Sequence, residues 1–369
     1  VGASFSVPGK AILFGEHAAV YGRPALIAAL GLRVRIDATV IEGPDVHLDL
    51  PALDYRDSHS WTEILAYTAE KRQQWQAYAA APSPESFQQV KGERLAHAAL
   101  IALGEAAAAL PQPPPGLRIR VESDIPIGSG FGSSAAVAVG LVAVVLQVGG
   151  TPVEPSAGTL LHGVRFPGEL RRLSLEAERR QHGTPSGIDH ATVIQGGLVL
   201  AEKPPGEDDF VLSPIAAPAE ILHNFRLYQT GTPQESTGEV VAAVRALKNR
   251  HPDRVEEALD RIEAATRDFA VELTRAHSLR GAVVPLVRQC ERGLETLGVV
   301  PWEVCDIIRQ IEEAGGAAKI SGAGALSGPG AGSVLVYHPQ PETLAEWEFL
   351  SPWTPIDAPL GDVGIRQET

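Results

Sequence analysis

The sequence predicts a two-domain protein of the α+β class, and three observations carry that expectation. At 369 residues the chain is longer than one hydrophobic core usually serves. Both halves interleave short apolar-alternating segments with long stretches of helical composition. Between Glu202 and Glu220 the composition shifts to Pro, Gly, Asp and Glu, which suits a boundary. The expected division is a first domain over residues 1–205 and a second over residues 206–369.

The elements follow in order. Ser4 to Val7 alternates into a glycine turn, and Ala11 to Phe14 continues as an apolar run. Leu32–Val40 and Leu117–Val121 alternate cleanly and read as half-buried strands. Trp61 to Leu103 has mostly helical composition, and the proline run Gln112–Gly116 is a stiff connector. Ser133 to about Val148 reads as a buried helix, Phe166–Arg180 as a charged one, and Ile194–Ala201 as a strand. The second half opens with a strand over Phe225–Gln229. Helical patterns follow over Glu235–Asn249, Pro252–Ala276, Val283–Leu297 and Trp302–Ala314. Strands over Ala317–Ser321 and Ser333–Tyr337 flank a glycine-rich loop.

Composition narrows the function classes. With 44% hydrophobic and 21% charged residues the chain has the make-up of a folded globular protein. The net charge of −14 argues against nucleic acid as a partner, because phosphate backbones demand clustered Lys and Arg. Cys290 and Cys305 are too few for a disulfide framework and read as reduced thiols packed on helices. Val1 to Val7 lacks the charged and apolar regions of a secretory leader. The most apolar run, Ala135 to Leu146, is much shorter than the roughly 20 residues of a membrane span. The expectation is a cytoplasmic chain that does not engage a membrane. The histidines show no metal-ligand spacing.

The most informative stretch is Pro126-Ile127-Gly128-Ser129-Gly130-Phe131-Gly132-Ser133-Ser134. Its glycines let the backbone approach a ligand closely. The helix start that follows offers unpaired N–H groups and a positive dipole end, which suit phosphate. Serine hydroxyls there can reach a phosphate oxygen or a hard cation. Taken alone, the stretch fits a Ser-capped turn equally well. Neither of the two commonest phosphate loops is present. A dinucleotide fingerprint needs a glycine where Ser133 stands, and a P-loop needs Ser or Thr where Ala11 follows Gly9-Lys10.

A second stretch makes the reading specific. Val7-Pro8-Gly9-Lys10 leads into Gly15-Glu16-His17-Ala18-Ala19-Val20-Tyr21-Gly22, which resembles the first motif of the GHMP kinases in its mevalonate kinase form. The glycine-serine stretch resembles that family's second motif. Glu178 to Asp189 is similar to the segment carrying its metal-binding Glu and catalytic Asp, and Thr230 to Gly238 resembles a substrate-facing loop. Lys319-Ile320-Ser321-Gly322-Ala323-Gly324 matches the third motif. Ala325 to Gly332 then departs from the family's glycine run and is longer. That departure bears on substrate choice and loop closure more than on reaction type.

The resemblance implies the two-domain GHMP kinase fold: an N-terminal ribosomal-protein-S5-like domain and a C-terminal ferredoxin-like α/β domain, with the active site in the cleft between them. It implies ATP and Mg2+ as cofactors and mevalonate as the small-molecule substrate. The implied reaction phosphorylates the C5 hydroxyl to give 5-phosphomevalonate and ADP, in isoprenoid biosynthesis. Self-association into a homodimer is left open. By this carry-over Lys10 and Asp189 are catalytic, and Glu16, His17 and Thr237 meet the substrate. Gly128, Ser129, Gly130, Gly132, Ser133 and Ser134 hold the ATP phosphates. Ser134 and Glu178 bind the metal, and Gly322, Ala323 and Gly324 form the third loop.

These residue types suit phosphoryl transfer, which needs charge neutralisation, alignment and a destination for the hydroxyl proton. Asp189 can accept that proton or hold the hydroxyl in line, and Lys10 can stabilise both the carboxylate and a developing alkoxide. Without the motifs, the more common reading is Glu178 as a solvated helix carboxylate, Asp189 as a helix cap or turn residue and Lys10 as a surface lysine. The rivals are a phosphomevalonate kinase, another small-molecule kinase of the superfamily, an ATP-dependent decarboxylase and a non-catalytic sensor. The motifs hold no added basic cluster for a substrate phosphate. Retention of Lys10, Glu178 and Asp189 argues against the last two.

Overall fold

The structure, a computed structural model, describes residues 2–81, 83–91, 93–126, 129–151, 168–182, 186–204, 206, 210–274 and 281–368. Twelve strands and eleven helices lie among the described residues. The first half contains β1 (Gly2–Phe14), β2 (Ala25–Ile41), β3 (Asp45–Leu50), β4 (Tyr55–Ser60), α1 (Trp61–Ala80), α2 (Pro84–Lys91), α3 (His97–Ala109), β5 (Gly116–Ser123), α4 (Ser133–Val148), α5 (Gly168–His182), α6 (Ile188–Gln195), β6 (Leu198–Glu202) and β7 (Val211–Ile215). The second contains α7 (Ala219–His223), β8 (Phe225–Gln229), α8 (Thr237–Arg250), α9 (Pro252–Thr274), α10 (Val283–Leu297), α11 (Trp302–Glu313), β9 (Ala317–Ser321), β10 (Ser333–Tyr337), β11 (Thr354–Ile356) and β12 (Arg366–Gln367).

Two sheets organise the chain. The larger runs β12-β1-β2-β5-β3-β4, with β6 pairing to β2 and β7 to β6. Only its β3–β5 pair is parallel. The smaller, β11-β8-β10-β9, is wholly antiparallel. Helices α1, α3, α4 and α5 pack together, with α4 on β1 and β2, while α10 and α11 cover the second sheet and α9 packs on α10 and against β1, β2 and β7 of the first. The first sheet extends past residue 205, because β7 belongs to it, and β12 brings the chain's last strand back onto β1.

β1 runs unbroken through Pro8-Gly9, where the sequence suggests a turn. The register absorbs the pair by shifting there: Pro8 faces Arg33, and Gly9 then faces Leu30. A bulge of this kind re-aims the strand that follows. Beyond it, the Lys10 N–H donates to Phe131 O at 2.8 Å, so the loop before α4 is laid along β1.

β2 also exceeds the expected strand. Its first six residues, Ala25 to Leu30, are all buried. A strand covered on both faces shows a continuous apolar run in place of alternation, so only the later part carries the alternating signature. Trp61 to Leu103 divides into three helices. α1 begins with a capping box in which Ser60 and Glu63 satisfy each other's backbone N–H.

Among the described residues no helix is long and apolar enough to cross a membrane. Cys290 is buried, Cys305 is partly buried, and both are free. Burial pushes the Cys290 thiol well up and the Cys305 thiol up to about 12, so neither is an activated nucleophile.

Candidate active site

The site is built where β1, the α4 N-terminus, α5, α6 and the third loop converge. α4 starts at Ser133 with Gly132 as its N-cap in a left-handed conformation, φ 74°, and no side chain caps its first turn. Those N–H groups and the dipole's positive end make an anion cradle. Gly132 is required for close approach as well as for its φ. A Cβ there would lie 2.8 Å from Lys10 Cγ and 3.2 Å from its Cε. The loop therefore rests directly on the lysine.

Lys10 Nζ lies 3.1 Å from Asp189 Oδ2, with the lysine side chain 8% exposed and the aspartate 35%. Asp189 sits in the first turn of α6, whose N-cap Gly187 also has a left-handed φ of 73°. The two residues proposed from sequence as catalytic are thus brought together from positions far apart in the chain. α6 itself was not foreseen; the sequence signals only a turn running into an apolar segment.

Glu178 projects from α5 and is nearly buried. Its Oε2 is buried without a hydrogen-bond partner. Ser134 Oγ donates to Gln181 Oε1, one turn along α5, at 2.9 Å. A hydroxyl and a carboxylate that pairs with no Lys or Arg among the described residues fit a hard divalent cation that takes its other ligands from phosphate and water. Among the described residues no cluster of three or more His, Cys, Asp or Glu could hold a metal by itself.

The remaining predicted residues divide. Ser129 is buried, its hydroxyl donating to Pro126 O at 2.7 Å and its carbonyl accepting from Ser333 Oγ at 3.0 Å. Gly130 has a positive φ of 76°, and Gly128 lies outside the described residues. Glu16 is buried and ion-paired with Lys319, both side chains 0% exposed. Burial raises its carboxyl above the ordinary range, while the Lys319 charge and hydrogen bond pull it back down. His17 has a φ of 58°, and its Nε2 bonds Ala323 O at 2.9 Å. Burial lowers its basicity, so the ring is neutral and Nε2–H donates to that carbonyl. Thr237 is the first residue of α8 and is exposed.

Gly324 could not carry a side chain: its φ is 73° and a Cβ would meet Val299 O at 2.1 Å. The unusual stretch after it is docked on the loop following β8. Leu326 N–H and Ser327 Oγ donate to the Glu235 carboxylate at 3.1 and 2.6 Å. Buried Thr230 donates to Gly332 O at 2.9 Å and accepts from Ala331 N–H at 2.8 Å.

Sequence reasoning missed Lys319 as the partner of Glu16, and also missed Glu291. Glu291 is fully buried, and its Oε2 accepts from Ile320 N–H at 3.1 Å. A lysine flanked by apolar residues in the strand Ala317–Ser321 was the available signal. An open groove of about 1160 Å³ lies elsewhere, between α7, β8 and residues 355–361, and contains none of the motif residues.

With this geometry in hand, the comparisons with known proteins are decisive. The GHMP kinases N terminal domain matches residues 94–197. A mevalonate kinase of Methanothermobacter thermautotrophicus is 30% identical over 342 residues, covering 91% of this chain and 90% of that one. The chain belongs to the mevalonate kinase family. Another mevalonate kinase, from Schizosaccharomyces pombe, is 29% identical over 329 residues, covering 86% of this chain and 80% of its own. The solved structure of the Methanococcus jannaschii mevalonate kinase shares the fold with a TM-score of 0.72 at 20% identity, over 98% of this chain and 99% of that one. The mevalonate kinase fold thus accounts for both sheets and the helices that cover them.

Proposed function

We propose that this chain transfers the γ-phosphoryl group of ATP to the C5 hydroxyl of mevalonate, with Lys10 and Asp189 as the groups that manage the hydroxyl proton and its charge. The observation that carries the residue assignment is the Lys10–Asp189 pair at 3.1 Å directly beneath the uncapped α4 N-terminus. Kinases of this family use ATP, and the mevalonate kinase of L. major has been solved with R-mevalonate.

In this reading, N–H groups of the first turn of α4 and of the loop from Ser129 to Gly132 hold the nucleotide phosphates. Asp189 Oδ receives the hydroxyl proton or fixes the hydroxyl in line. The Lys10 ammonium stabilises the oxygen as it gains negative charge. Its backbone is fixed within β1 and Gly132 lies against its aliphatic stem, so little reorganisation is needed. Ser134 and Glu178 would hold Mg2+, which would neutralise charge on the transferring phosphate. Thr237 and the Glu235-bound third loop form the rim on the second-domain side. The acceptor lies between residues of 1–205 and residues of 206–369.

One assay tests the reading. Purified protein is incubated with ATP, Mg2+ and, separately, mevalonate, phosphomevalonate, galactose and homoserine, and products are identified by mass. Phosphorylated mevalonate with release of ADP is expected, with the other acceptors far slower. Preferential use of phosphomevalonate, or loss of carbon dioxide, would replace the assignment.

A further inference from the structure

His190, the residue after Asp189, has no part in the chemistry described so far. It is completely buried in the first half of α6. Neither ring nitrogen has an aligned hydrogen bond among the described residues. An imidazole buried without a partner is costly, because its desolvation goes uncompensated. Nδ1 nevertheless lies 2.6 Å from Glu178 Oε2, the carboxylate oxygen that is also buried without an aligned bond. Two unsatisfied polar atoms therefore face each other across the packed α5–α6 contact. A modest turn of either side chain completes the bond. Such bonds are commonly loose in a ligand-free site and tighten when the ligand arrives.

We infer that His190 is a positioning residue for Glu178: Nδ1–H grips Oε2 and leaves Oε1 directed at the cation. The inference rests on the proposed role of Glu178 in holding Mg2+. Two physical arguments favour it over simple core packing. An apolar side chain would fill the same buried volume without the desolvation cost of two nitrogens. Carboxylates that bind metals are also generally held by a second hydrogen bond, which fixes their orientation. Asp189 and His190 are consecutive, so one turn of α6 places the acceptor's carboxylate and the support of the metal's carboxylate in fixed relation. Any shift of α6 moves both together.

The test measures metal binding directly. Mn2+ is titrated into the protein with a non-hydrolysable ATP analogue, and free Mn2+ is followed by electron paramagnetic resonance. His190→Leu is expected to weaken Mn2+ binding by roughly tenfold, the lower end for loss of an outer-shell partner. Affinity for the metal-free nucleotide is expected to stay unchanged. His190→Asn, which keeps a donor, is expected to recover most of the loss. In a Glu178→Gln background His190→Leu should add little. If His190→Leu does not fold, His190→Phe, which also lacks a donor, is measured on the same readout with the same weakening expected and wild-type affinity overturning the inference. Wild-type Mn2+ affinity in a folded His190→Leu, or an undiminished effect in the Glu178→Gln background, overturns the inference. If Glu178→Gln itself leaves Mn2+ binding unchanged, the metal role of Glu178 fails instead, so the two failures are distinguishable.

Discussion

Replacing Lys319 by Met is the sharpest test of how the two sheets are joined. Lys319 stands on β9 of the second sheet and Glu16 follows β1 of the first; both side chains are wholly buried and paired. Met matches the length of the lysine stem and removes only the ammonium. Removing one member of a buried ion pair typically costs about 3–5 kcal/mol, because the other charge is left without compensation. Here the partner's second oxygen, Oε2, already lacks a hydrogen bond, which places the expected loss toward the upper end. For a chain of 369 residues the entropy of unfolding is roughly 0.8 kcal/mol/K, so the melting temperature falls by about 4–6 °C. The sign of the pH dependence also follows. Glu16 has a raised carboxyl in the fold, raised further without Lys319. The folded variant then holds a proton that the unfolded chain releases above about pH 4.5, so its deficit grows as pH rises from there. Calorimetry and urea unfolding of Lys319→Met, Glu16→Gln and the double variant at pH 5 and pH 8 provide the measurement. The double variant is expected to regain more than half of the loss. A deficit under about 1 kcal/mol at pH 8, or simple addition in the double variant, would refute the reasoning.

Other outcomes follow from the same geometry. Asp189→Asn and Lys10→Ala should each lower turnover by at least ~100-fold, while ATP binding measured by calorimetry survives Asp189→Asn; turnover within a few-fold of wild type removes the residue from the chemistry. Gly132→Ala places a methyl 2.8 Å from Lys10 Cγ at a φ of 74°, so it should cost about 1–3 kcal/mol and lower kcat at least ~10-fold by displacing Lys10; unchanged kinetics would show that the lysine does not depend on this contact. Burial, reinforced by Glu295, holds the Glu291 carboxyl well above its ordinary value, so the folded state keeps a proton that the unfolded chain loses above about pH 4.5 and wild-type stability declines as pH rises. Glu291→Gln should match wild type near pH 4 and exceed it progressively by pH 7, by up to about 1.4 kcal/mol per unit crossed; parallel stability curves would contradict this.

The legibility of the chain follows the range of the interactions involved. Strands Phe225–Gln229, Ala317–Ser321 and Ser333–Tyr337 and helix Val283–Leu297 coincide with the bounds expected from sequence. The helix is defined by its own periodicity, the strands by short apolar runs, and all by Gly or Pro residues nearby. Elements set by distant partners were harder to read. β7 and β12 join the first sheet only because β6 and β1 present edges to them. β3 and β4 are short, polar on one face and carried no assignment. At the site, the motifs supplied residue types in the right order, but not their partners. Nothing local to Glu16 announces Lys319, some 303 positions away. Nothing local to His190 announces Glu178 either.

This distribution of partners changes how the first motif should be understood. Lys10, Glu16 and His17 lie within a short segment, yet they face different bodies. Lys10 turns to Asp189 inside the first domain. Glu16 and His17 turn to Lys319 and Ala323 of the second. Ser321 Oγ and Ser333 Oγ reach back in the same way, to Ile12 O and Ser129 O. Arg23, just past the motif, adds ion pairs to Glu256, Asp260 and Glu263 on α9. The segment therefore contacts both α6, through Lys10, and the second sheet with its loop, through Glu16 and His17. Phosphoryl transfer depends on alignment more than on covalent assistance, and a small error in separation between donor and acceptor costs large factors in rate. A motif that positions its lysine through the same backbone that pins the opposite wall couples those two requirements. His17, with a positive φ that is unfavourable for a non-glycine residue, follows directly on Glu16 and faces the same side. Its bond to the Ala323 carbonyl ties it to the third loop, so the strained residue and the loop are held in place together.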